Sequence, residues 1–416
     1  MRANPWIIVF VGFVALSVSF AFRAVLGLSI PEWERAVSAN GLGWSRDTIS
    51  AASALALSVM AVLYPFVGAL VDRIGARIVV SGGCLLLAVA MTFVGNMSSP
   101  WHLALAFGVL GGVAFTLVGN NVVTVMVARV FDTRLGLATG IATSGSTAGQ
   151  LAMMPLLTLG FVALGWRHTY FVVAGVCVLI ACTAWWLLGG ESGRTKVKTA
   201  GPARVSLLEA TRILFRDPGF YALFVSFFIC GITTTGIIET HFIPFAIACG
   251  FAPMLSAMSY SVLSGFNFTG MAISGWASDR FNRSWMLGGI YAGRGISFFI
   301  LLGVGDSYPM LIGFAILFGL MEYSTFPPTA GLVVSRYGVA NMGKAMGFLM
   351  AAHSIGAAIG AWGAGRVYTV FGSYDWAWIG CAATAFGAAL VVLACKDPRH
   401  TGPHQGFRMQ RMPAPA

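Results

Sequence analysis

The sequence predicts an all-α membrane protein whose twelve transmembrane helices form two pseudo-symmetric six-helix bundles. Hydrophobic residues make up 57% of the 416 residues, charged residues make up 9%, and the mean hydropathy is +0.82. A water-soluble fold of this size has too little interior to bury so much apolar surface. Apolar runs of about 20 residues recur along the chain, and one charged motif occurs in both halves.

The duplicated motif is Gly68-Ala-Leu-Val-Asp72-Arg73-Ile-Gly75-Ala-Arg77, which recurs as Gly275-Trp-Ala-Ser-Asp279-Arg280-Phe-Asn-Arg283, displaced by 207 residues. Each copy predicts a tight turn between two membrane helices, where glycine allows the helices to approach closely. Nine glycine pairs coincide at this displacement, whereas composition alone gives about three. The halves are therefore expected to be copies, an organisation typical of transporters whose site lies between them.

The twelve spans are predicted from apolar runs bounded by charged or turn residues. The first span exceeds the core of a signal peptide and lacks a clear cleavage site, so it is expected to be retained. The spans are 5–29, 48–71, 78–96, 101–127, 136–160, 167–189, 219–246, 253–277, 285–304, 309–333, 343–367 and 375–395.

The distribution of Lys and Arg predicts that both termini are cytoplasmic. Nineteen of these residues lie on the side of the termini, and four lie on the other side: Arg35, Arg46, Arg167 and Arg366. Positive charge is enriched in cytoplasmic loops. The expected parts are an N-terminal bundle (1–189), a cytoplasmic linker (190–217), a C-terminal bundle (218–395) and a disordered cytoplasmic tail (396–416).

Within the linker, the segment from Arg204 to Arg216 places apolar residues at helical spacing beneath cations. This pattern predicts an amphipathic helix on the membrane surface, with a solvated connector as the alternative.

Other classes of partner are disfavoured. The net charge of +11 follows from the basic cytoplasmic loops rather than from a nucleic-acid site, and the seven cysteines lie in apolar runs without metal-ligand spacing. Neither a nucleophile with a plausible base nor a phosphate-cradling loop is present, so the chain is not expected to be an enzyme. We expect a monomer in the lipid bilayer, without metal or cofactor.

Ionisable side chains inside the spans are the candidates for function, because they are costly in lipid unless they face a cavity or a partner. Arg23 is predicted to anchor an anionic substrate, since its donor fork matches a carboxylate; snorkelling or a structural ion pair is the alternative. Glu239 is predicted to carry a proton. His241, two residues later, must point elsewhere, and an outer gate or a structural polar cluster is the alternative for both residues.

Glu322 precedes Pro327 and Pro328, which are expected to break the tenth helix just after the acid. Arg294 is the predicted charge partner of Glu322, either in a structural or gating pair or in direct contact with substrate.

The remaining substrate-binding candidates are polar residues on other helices. At most one of the two adjacent asparagines faces a central cavity squarely, and a packing role is the alternative for the histidine. Gly140, Gly145, Gly149 and Gln150 are expected to serve close helix packing. The candidates are Asn120, Asn121, Asn267 and His353.

The duplicated turns, the twelve spans and the basic linker resemble the major facilitator superfamily over essentially the whole chain. Gly43-Trp44-Ser45-Arg46, Arg23 and Tyr291-Ala-Gly-Arg294-Gly295 resemble its monocarboxylate-porter-like bacterial branch. The resemblance implies a multi-pass protein of the bacterial inner membrane that moves a small organic anion by proton symport, with two bundles rocking about a midplane site.

One departure from the branch concerns the eighth helix. Where its carboxylate transporters carry an Asp and an Arg one turn apart, this chain has Asn267 and Met271. Either Arg23, with His241 or His353, binds the anion instead, or the substrate is not a simple monocarboxylate.

The resemblance also implies that the duplicated turns latch the outward-facing state on the cytoplasmic side. A proton-coupled drug or metabolite efflux antiporter is the alternative function, although the exporters' Gly-Pro signature is not met, because Gly149 precedes Pro155 by several residues. The latch residues are Gly68, Asp72, Arg73, Arg77, Gly275, Asp279, Arg280 and Arg283.

Overall fold

The computed structural model describes residues 5–39, 41–128, 130–131, 135–189 and 207–398, and all regular structure in them is helical. Two short segments are 3-10 helical, Val37–Ala39 and Tyr323–Thr325, and two are π-helical, Ala104–Gly111 and Ile232–Gly236. The α-helices are α1 (Pro5–Glu34), α2 (Arg46–Ile74), α3 (Ala76–Gly95), α4 (Pro100–Leu103), α5 (Gly112–Leu117), α6 (Asn120–Ala128), α7 (Leu135–Thr143), α8 (Gly145–Leu187), α9 (Leu207–Leu214), α10 (Pro218–Gly231), α11 (Ile238–Ala248), α12 (Pro253–Ser278), α13 (Arg283–Leu302), α14 (Tyr308–Glu322), α15 (Phe326–Tyr337), α16 (Val339–Phe371) and α17 (Asp375–Leu393).

Ten helical segments among the described residues are long and apolar enough to cross a membrane. One of them, Ala138–Leu187, has 50 residues, about 75 Å of helix, which is more than twice the hydrocarbon thickness of a bilayer. It turns at Gly165, whose φ of 75° and ψ of 161° are not helical. The helix α12 is long enough, with 26 residues, but it contains six serines and is not among these ten apolar segments. The count of twelve spans stays a prediction, as does the cytoplasmic position of the termini.

The displacement of 207 residues is repeated in the backbone. Helix α3 and helix α13 each have 20 residues, and both their first and last residues are 207 apart. Gly43 and Gly250, at the same displacement, have φ of 67° and 94°. Gly165 and Gly372 have φ of 75° and 70°, values that favour glycine because a Cβ is strained there. The internal repeat therefore extends from sequence to chain path.

Helix packing is dense on both sides of the linker. Before it, α1 and α3 pack on α8; after it, α10 packs on α16, α12 on α14, and α13 on α17. Across the linker, α2 packs on α16, α8 on α12, and α1 on α11. These three contacts join the first part of the chain to the second, and they place α1 beside α11.

The linker contains a helix, α9, within the segment where an amphipathic helix is expected. Its location on the membrane surface stays a prediction. Residues 190–206 of the predicted linker and residues 399–416 of the predicted tail lie outside the described part of the chain.

The end of the linker is fixed by Asp217, which caps α10 through the N–H of Gly219 at 2.8 Å. Its carboxylate also accepts hydrogen bonds from Arg336 at 3.0 Å and from Tyr337 at 2.5 Å. Burial alone would raise the pKa of Asp217, but these three donors outweigh it and hold the pKa below its usual range. Asp217 therefore ties the start of α10 to the end of α15.

Glycines allow main chains to touch where helices cross. A Cβ at Gly149 would lie 2.0 Å from the carbonyl oxygen of Ser17, and one at Gly145 would lie 2.2 Å from that of Phe13. The expected role in close packing is confirmed for these two glycines. It was wrong for Gly140, where a Cβ would meet nothing within 4 Å.

We predict that Gly149→Ala destabilises the protein by about 1–3 kcal/mol, because the added methyl overlaps the main chain of α1. Gly175→Ala is the matched control on α8, since a Cβ there meets nothing within 4 Å. The control should be neutral or stabilising by up to about 1 kcal/mol. Thermal unfolding of the two purified variants checks this, and equal melting temperatures would contradict the packing argument.

Candidate functional site around a buried ion pair

The centre of the site is an ion pair between Arg23 on α1 and Glu239 on α11. Arg23 Nη2 lies 2.9 and 2.7 Å from Glu239 Oε1 and Oε2, and Arg23 Nε lies 3.0 Å from Oε2. The two side chains are 11% and 3% exposed. The guanidinium also lies over the ring of Phe20, 4.3 Å from its centroid. Two opposite charges are therefore held together, away from solvent, between helices from both repeats.

The pair requires α1 and α11 to approach closely, and Gly27 permits this. It lies about one turn from Arg23, and a Cβ there would be 2.9 Å from the carbonyl oxygen of Thr240. The approach therefore brings the main chains together beside the pair. The first turn of α11, which contains Glu239, therefore lies against α1.

Two hydroxyl groups complete the environment of Glu239. Thr235, in the π-helical segment before α11, donates to Oε1 at 3.0 Å. Tyr323, in the 3-10 segment after α14, donates to the same oxygen at 2.7 Å. Within a membrane, irregular backbone is tolerated only where it is buried in protein or lines a water-filled cavity. Each donor comes from such an irregular segment, so both helix breaks contribute to the environment of the carboxylate.

A second carboxylate is connected to this site through an amide. Asn267 on α12 donates through Nδ2 to Glu322 Oε2 at 2.9 Å, and its Oδ1 accepts from the N–H of Tyr323 at 3.1 Å. Glu322 and Asn267 are both buried. The contacts thus run from Arg23 through Glu239, Tyr323 and Asn267 to Glu322.

The predicted charge pair between Arg294 and Glu322 was wrong, because Arg294 binds main-chain oxygens instead of the Glu322 carboxylate. Arg294 Nη2 donates to the main-chain oxygens of Met321 at 3.0 Å and Glu322 at 2.7 Å, while the Glu322 carboxylate accepts from Asn267. The reason is that α14 ends at Glu322, so carbonyls of its last turn lack intrahelical donors. The break after the acid, predicted from the two prolines, is confirmed.

His241 points away from Glu239, as the spacing of two residues predicts. Its Nδ1 lies 2.9 Å from the hydroxyl of Tyr374, and its Nε2 lies 2.7 Å from the carbonyl oxygen of Ala361. Arg46 Nη1 donates to the same Tyr374 hydroxyl at 2.9 Å. A carbonyl oxygen only accepts, so Nε2 carries the proton that binds Ala361, and Nδ1 of the neutral imidazole is an acceptor. Arginine only donates, so the Tyr374 hydroxyl accepts from Arg46 and donates its own proton to Nδ1. Both nitrogens of His241 are engaged in this conformation.

Arg46 and its neighbour Asp47 join α2 to α16 and α17. Arg46 forms an ion pair with Glu34. Asp47 accepts from Arg366 Nη1 and from Thr369 Oγ1, each at 3.3 Å. The Arg46 network comprises Glu34, Arg46, Asp47, His241, Arg366, Thr369 and Tyr374. Sequence reasoning placed Arg46 and Arg366 in loops and missed it; the adjacent charges that open α2 were the available signal.

Three other candidates lie apart from the ion pair. His353 Nε2 lies 3.4 Å from Thr234 Oγ1. Asn120 and Asn121 are half-buried at the start of α6. Within the part of the chain that the structure describes, no hydrogen bond joins these residues to Arg23. A role in substrate binding for them stays a prediction.

The arginines of the duplicated turns bind carbonyls of their own repeat. Arg77 Nε donates to Trp185 O at 2.8 Å, and Arg283 Nη1 donates to Gly331 O at 2.9 Å. Arg280 Nη1 donates to Trp276 O at 3.2 Å, and Arg73 is exposed. Gly275 and Asp279 lie at the end of α12.

Gly68 and Asp72 both belong to α2, but the side chain of Asp72 lies outside what the structure describes. The latch stays a prediction.

The helical fold, the internal repeat and an ion pair between helices of the two repeats are typical of a membrane transporter. The family model of the Major Facilitator Superfamily matches residues 8–282 and 268–413, and the chain belongs to this superfamily.

Three relatives with similar sequences are named as transporters. The uncharacterized MFS-type transporter YcxA of Bacillus subtilis (strain 168) is 24% identical over 79% of this chain and 81% of its own length. Monocarboxylate transporter 11 of Homo sapiens is 27% identical over 85% of this chain and 75% of its own length. Monocarboxylate transporter 4 of Gallus gallus is 24% identical over 93% and 81%, respectively.

We predict that the two charges of the ion pair are energetically coupled. Arg23→Gln or Glu239→Gln alone leaves a buried charge without its partner and costs about 3–5 kcal/mol. The double variant removes both charges and should be more stable than the sum of the two losses implies. Thermal unfolding in detergent at one pH measures the coupling.

Arg35→Gln is the control, because Arg35 forms an exposed pair with Glu32 at 2.7 Å. Such surface pairs contribute less than about 1 kcal/mol. Strictly additive losses at positions 23 and 239 would show that the pair has no coupling energy.

Proposed function

We propose that this protein is a proton symporter of a small organic anion, with Arg23 as the anchor of the anion. The observation that carries the proposal is the ion pair itself, in which Arg23 already holds a carboxylate through two nitrogens. Guanidinium presents a planar donor fork that fits carboxylates. Glu239 therefore occupies the position that a substrate carboxylate takes in this proposal.

In this proposal, the anion is coupled to a proton because the net charge of the buried site stays constant. If Glu239 takes up one proton, it becomes neutral and its hold on Arg23 weakens. The guanidinium is then a buried cation without a partner, which is costly, and an anionic substrate removes that cost. One proton and one carboxylate thus enter together, and the net charge of the site is unchanged. Without the proton, Glu239 competes with the anion for Arg23.

The names of the relatives support a carboxylate as the substrate class. Two of the three relatives described above are named monocarboxylate transporters. In this chain, Asn267 and Met271 stand where the branch carries its Asp and Arg. We therefore assign the anion site to Arg23 on α1 and the proton site to Glu239 on α11, instead of to the eighth helix.

Transport requires alternating access, and two sets of contacts are placed to control it. The Arg46 network would close the outer side and must separate to admit substrate from there. The duplicated turns would latch the cytoplasmic side. In this proposal, the bundles 1–189 and 218–395 rock about the ion pair, both termini are cytoplasmic, and the protein works as a monomer in the bacterial inner membrane.

For the anion site, we predict that Arg23→Ala reduces uptake by about tenfold or more, while Arg23→Lys retains a fraction, because lysine keeps the charge but loses the fork. Initial uptake of radiolabelled lactate, pyruvate and benzoate into proteoliposomes measures this. Arg35→Ala should match wild type. Equal rates in the three forms of position 23 would remove Arg23 from the site.

For the proton site, we predict that Glu239→Gln permits exchange of labelled anion across the membrane but abolishes accumulation driven by a pH gradient. The amide cannot release and rebind a proton, so the carrier keeps its anion site but loses the coupling. Unchanged accumulation would exclude Glu239 as the carrier. A thermal shift with cationic drugs, and none with the three acids, would favour the efflux alternative.

A further inference from the structure

Arg294 on α13 is fully buried and lies outside the ion-pair site. Its Nη2 binds the carbonyl oxygens of Met321 and Glu322, at 3.0 and 2.7 Å. Its Nη1 lies 3.2 Å from Thr233 Oγ1 and 3.2 Å from Cys230 Sγ. A buried cation is costly unless negative or polar groups surround it. Its partners here are therefore informative about what it stabilises.

The partners of Nη2 lie at the end of a broken helix. Helix α14 ends at Glu322, and the 3-10 segment begins at Tyr323. Carbonyls at a helix C-terminus carry partial negative charge and lack intrahelical donors. A guanidinium bound to two of them stabilises a chain that stops there and turns. Arg294 thus fixes the backbone from which Tyr323 extends.

The partners of Nη1 lie at the other helix break. Thr233 belongs to the π-helical segment Ile232–Gly236, and Cys230 is in the last turn of α10. Thr235, two residues after Thr233, donates to Glu239. One guanidinium therefore binds the π-helical segment and the end of α14, directly before the 3-10 segment.

The π-helical segment and the 3-10 segment supply the two hydroxyl donors of Glu239. Arg294 binds the chain next to both donors, although Arg294 itself is not hydrogen-bonded to the carboxylate. We propose that Arg294 is a positioning residue for Glu239: it holds the two helix breaks so that both hydroxyls bind the carboxylate, and it thereby sets the pH range in which the carrier takes up its proton. The effect on the pH range rests on the proposed function, whereas the positioning of the two hydroxyls does not.

The direction of the effect follows from the donors. Hydrogen bonds to a carboxylate favour its ionised form. If Arg294 no longer holds the segments, Glu239 loses these donors, so proton-driven uptake is expected to extend to higher pH. The charged and titratable groups that face Glu239 are Arg23 on α1, Tyr64 on α2, Tyr260 on α12, and Glu322 and Tyr323 at the end of α14.

The first experiment needs no transport. The loss of melting temperature caused by Tyr323→Phe is measured in wild type and in Arg294→Gln, both as purified full-length protein. We expect a clear loss in wild type and little or none in the Arg294 variant, because its Tyr323 hydroxyl no longer reaches Glu239. Equal losses in the two backgrounds would overturn the positioning role.

If Arg294→Gln does not fold, a second double-mutant thermal cycle replaces the first. Thr233→Val is then the background, and the loss of melting temperature caused by Thr235→Ala is measured. Thr233→Val removes one contact of the guanidinium, together with the hydrogen bond from Thr233 Oγ1 to the carbonyl oxygen of Ile229, and leaves the charge in place. Arg35→Gln is the control background, in which the full loss is expected. Equal losses in Thr233→Val and in the control would again contradict the proposal.

The second experiment measures the pH profile of anion uptake in proteoliposomes. Arg294→Lys and Tyr323→Phe should each shift the pH of half-maximal uptake upward, by about one unit. In the double variant Thr235→Ala/Tyr323→Phe, which lacks both hydroxyls, Arg294→Lys should add no further shift. An additive shift would contradict the positioning role. If wild-type uptake does not depend on pH, the proposed symport fails, while the thermal cycle still decides the role of Arg294.

Discussion

The structure depends on a constraint that the bilayer imposes on two charges. Arg23 and Glu239 lie where water is scarce, and neither can stay charged there alone without a large cost. Their contact joins α1 to α11, and Gly27 lets the two main chains meet beside it. Any change at one charge must therefore be matched at the other. A proton and a carboxylate are the two simplest ways to make that change.

The irregular backbone is organised around the same pair. A regular helix satisfies its own N–H and carbonyl groups and offers only side chains to a site. The π-helical and 3-10 segments turn Thr235 and Tyr323 toward one oxygen of Glu239. The end of α14, where the 3-10 segment begins, leaves carbonyls that need donors, and Arg294 supplies them. The position of a cation on a third helix is thus explained by the shape of the two helices beside it.

Much of the fold could be predicted from the sequence, because the bilayer makes apolar length and charge placement informative. The displacement of 207 residues reappears in the bounds of α3 and α13. Arg23, Glu239, Glu322 and Arg294 were identifiable because ionisable residues are rare in apolar runs.

The pairing of these residues was not predictable. Arg23 and Glu239 are far apart in the chain, and their contact depends on how closely α1 and α11 approach. Arg294 binds main-chain carbonyls, which no sequence pattern distinguishes from one another. Except for His241, which was a candidate, the residues of the Arg46 network were missed because they fall at or near helix ends, where charge is ordinary. The number of spans and the sidedness of the loops stay predictions.

The backbone repeat and the ion pair do not follow the same symmetry. The residue 207 positions after Arg23 is the uncharged Cys230. A carboxylate, Glu32, does stand 207 positions before Glu239, but it lies at the far end of α1 and pairs with Arg35. The two halves are parallel repeats, so an exchange of their positions leaves the open side of the carrier unchanged. The ion pair therefore makes the two bundles chemically distinct, because one supplies the cation and the other supplies the anion. Two copies of either bundle alone could not form this contact.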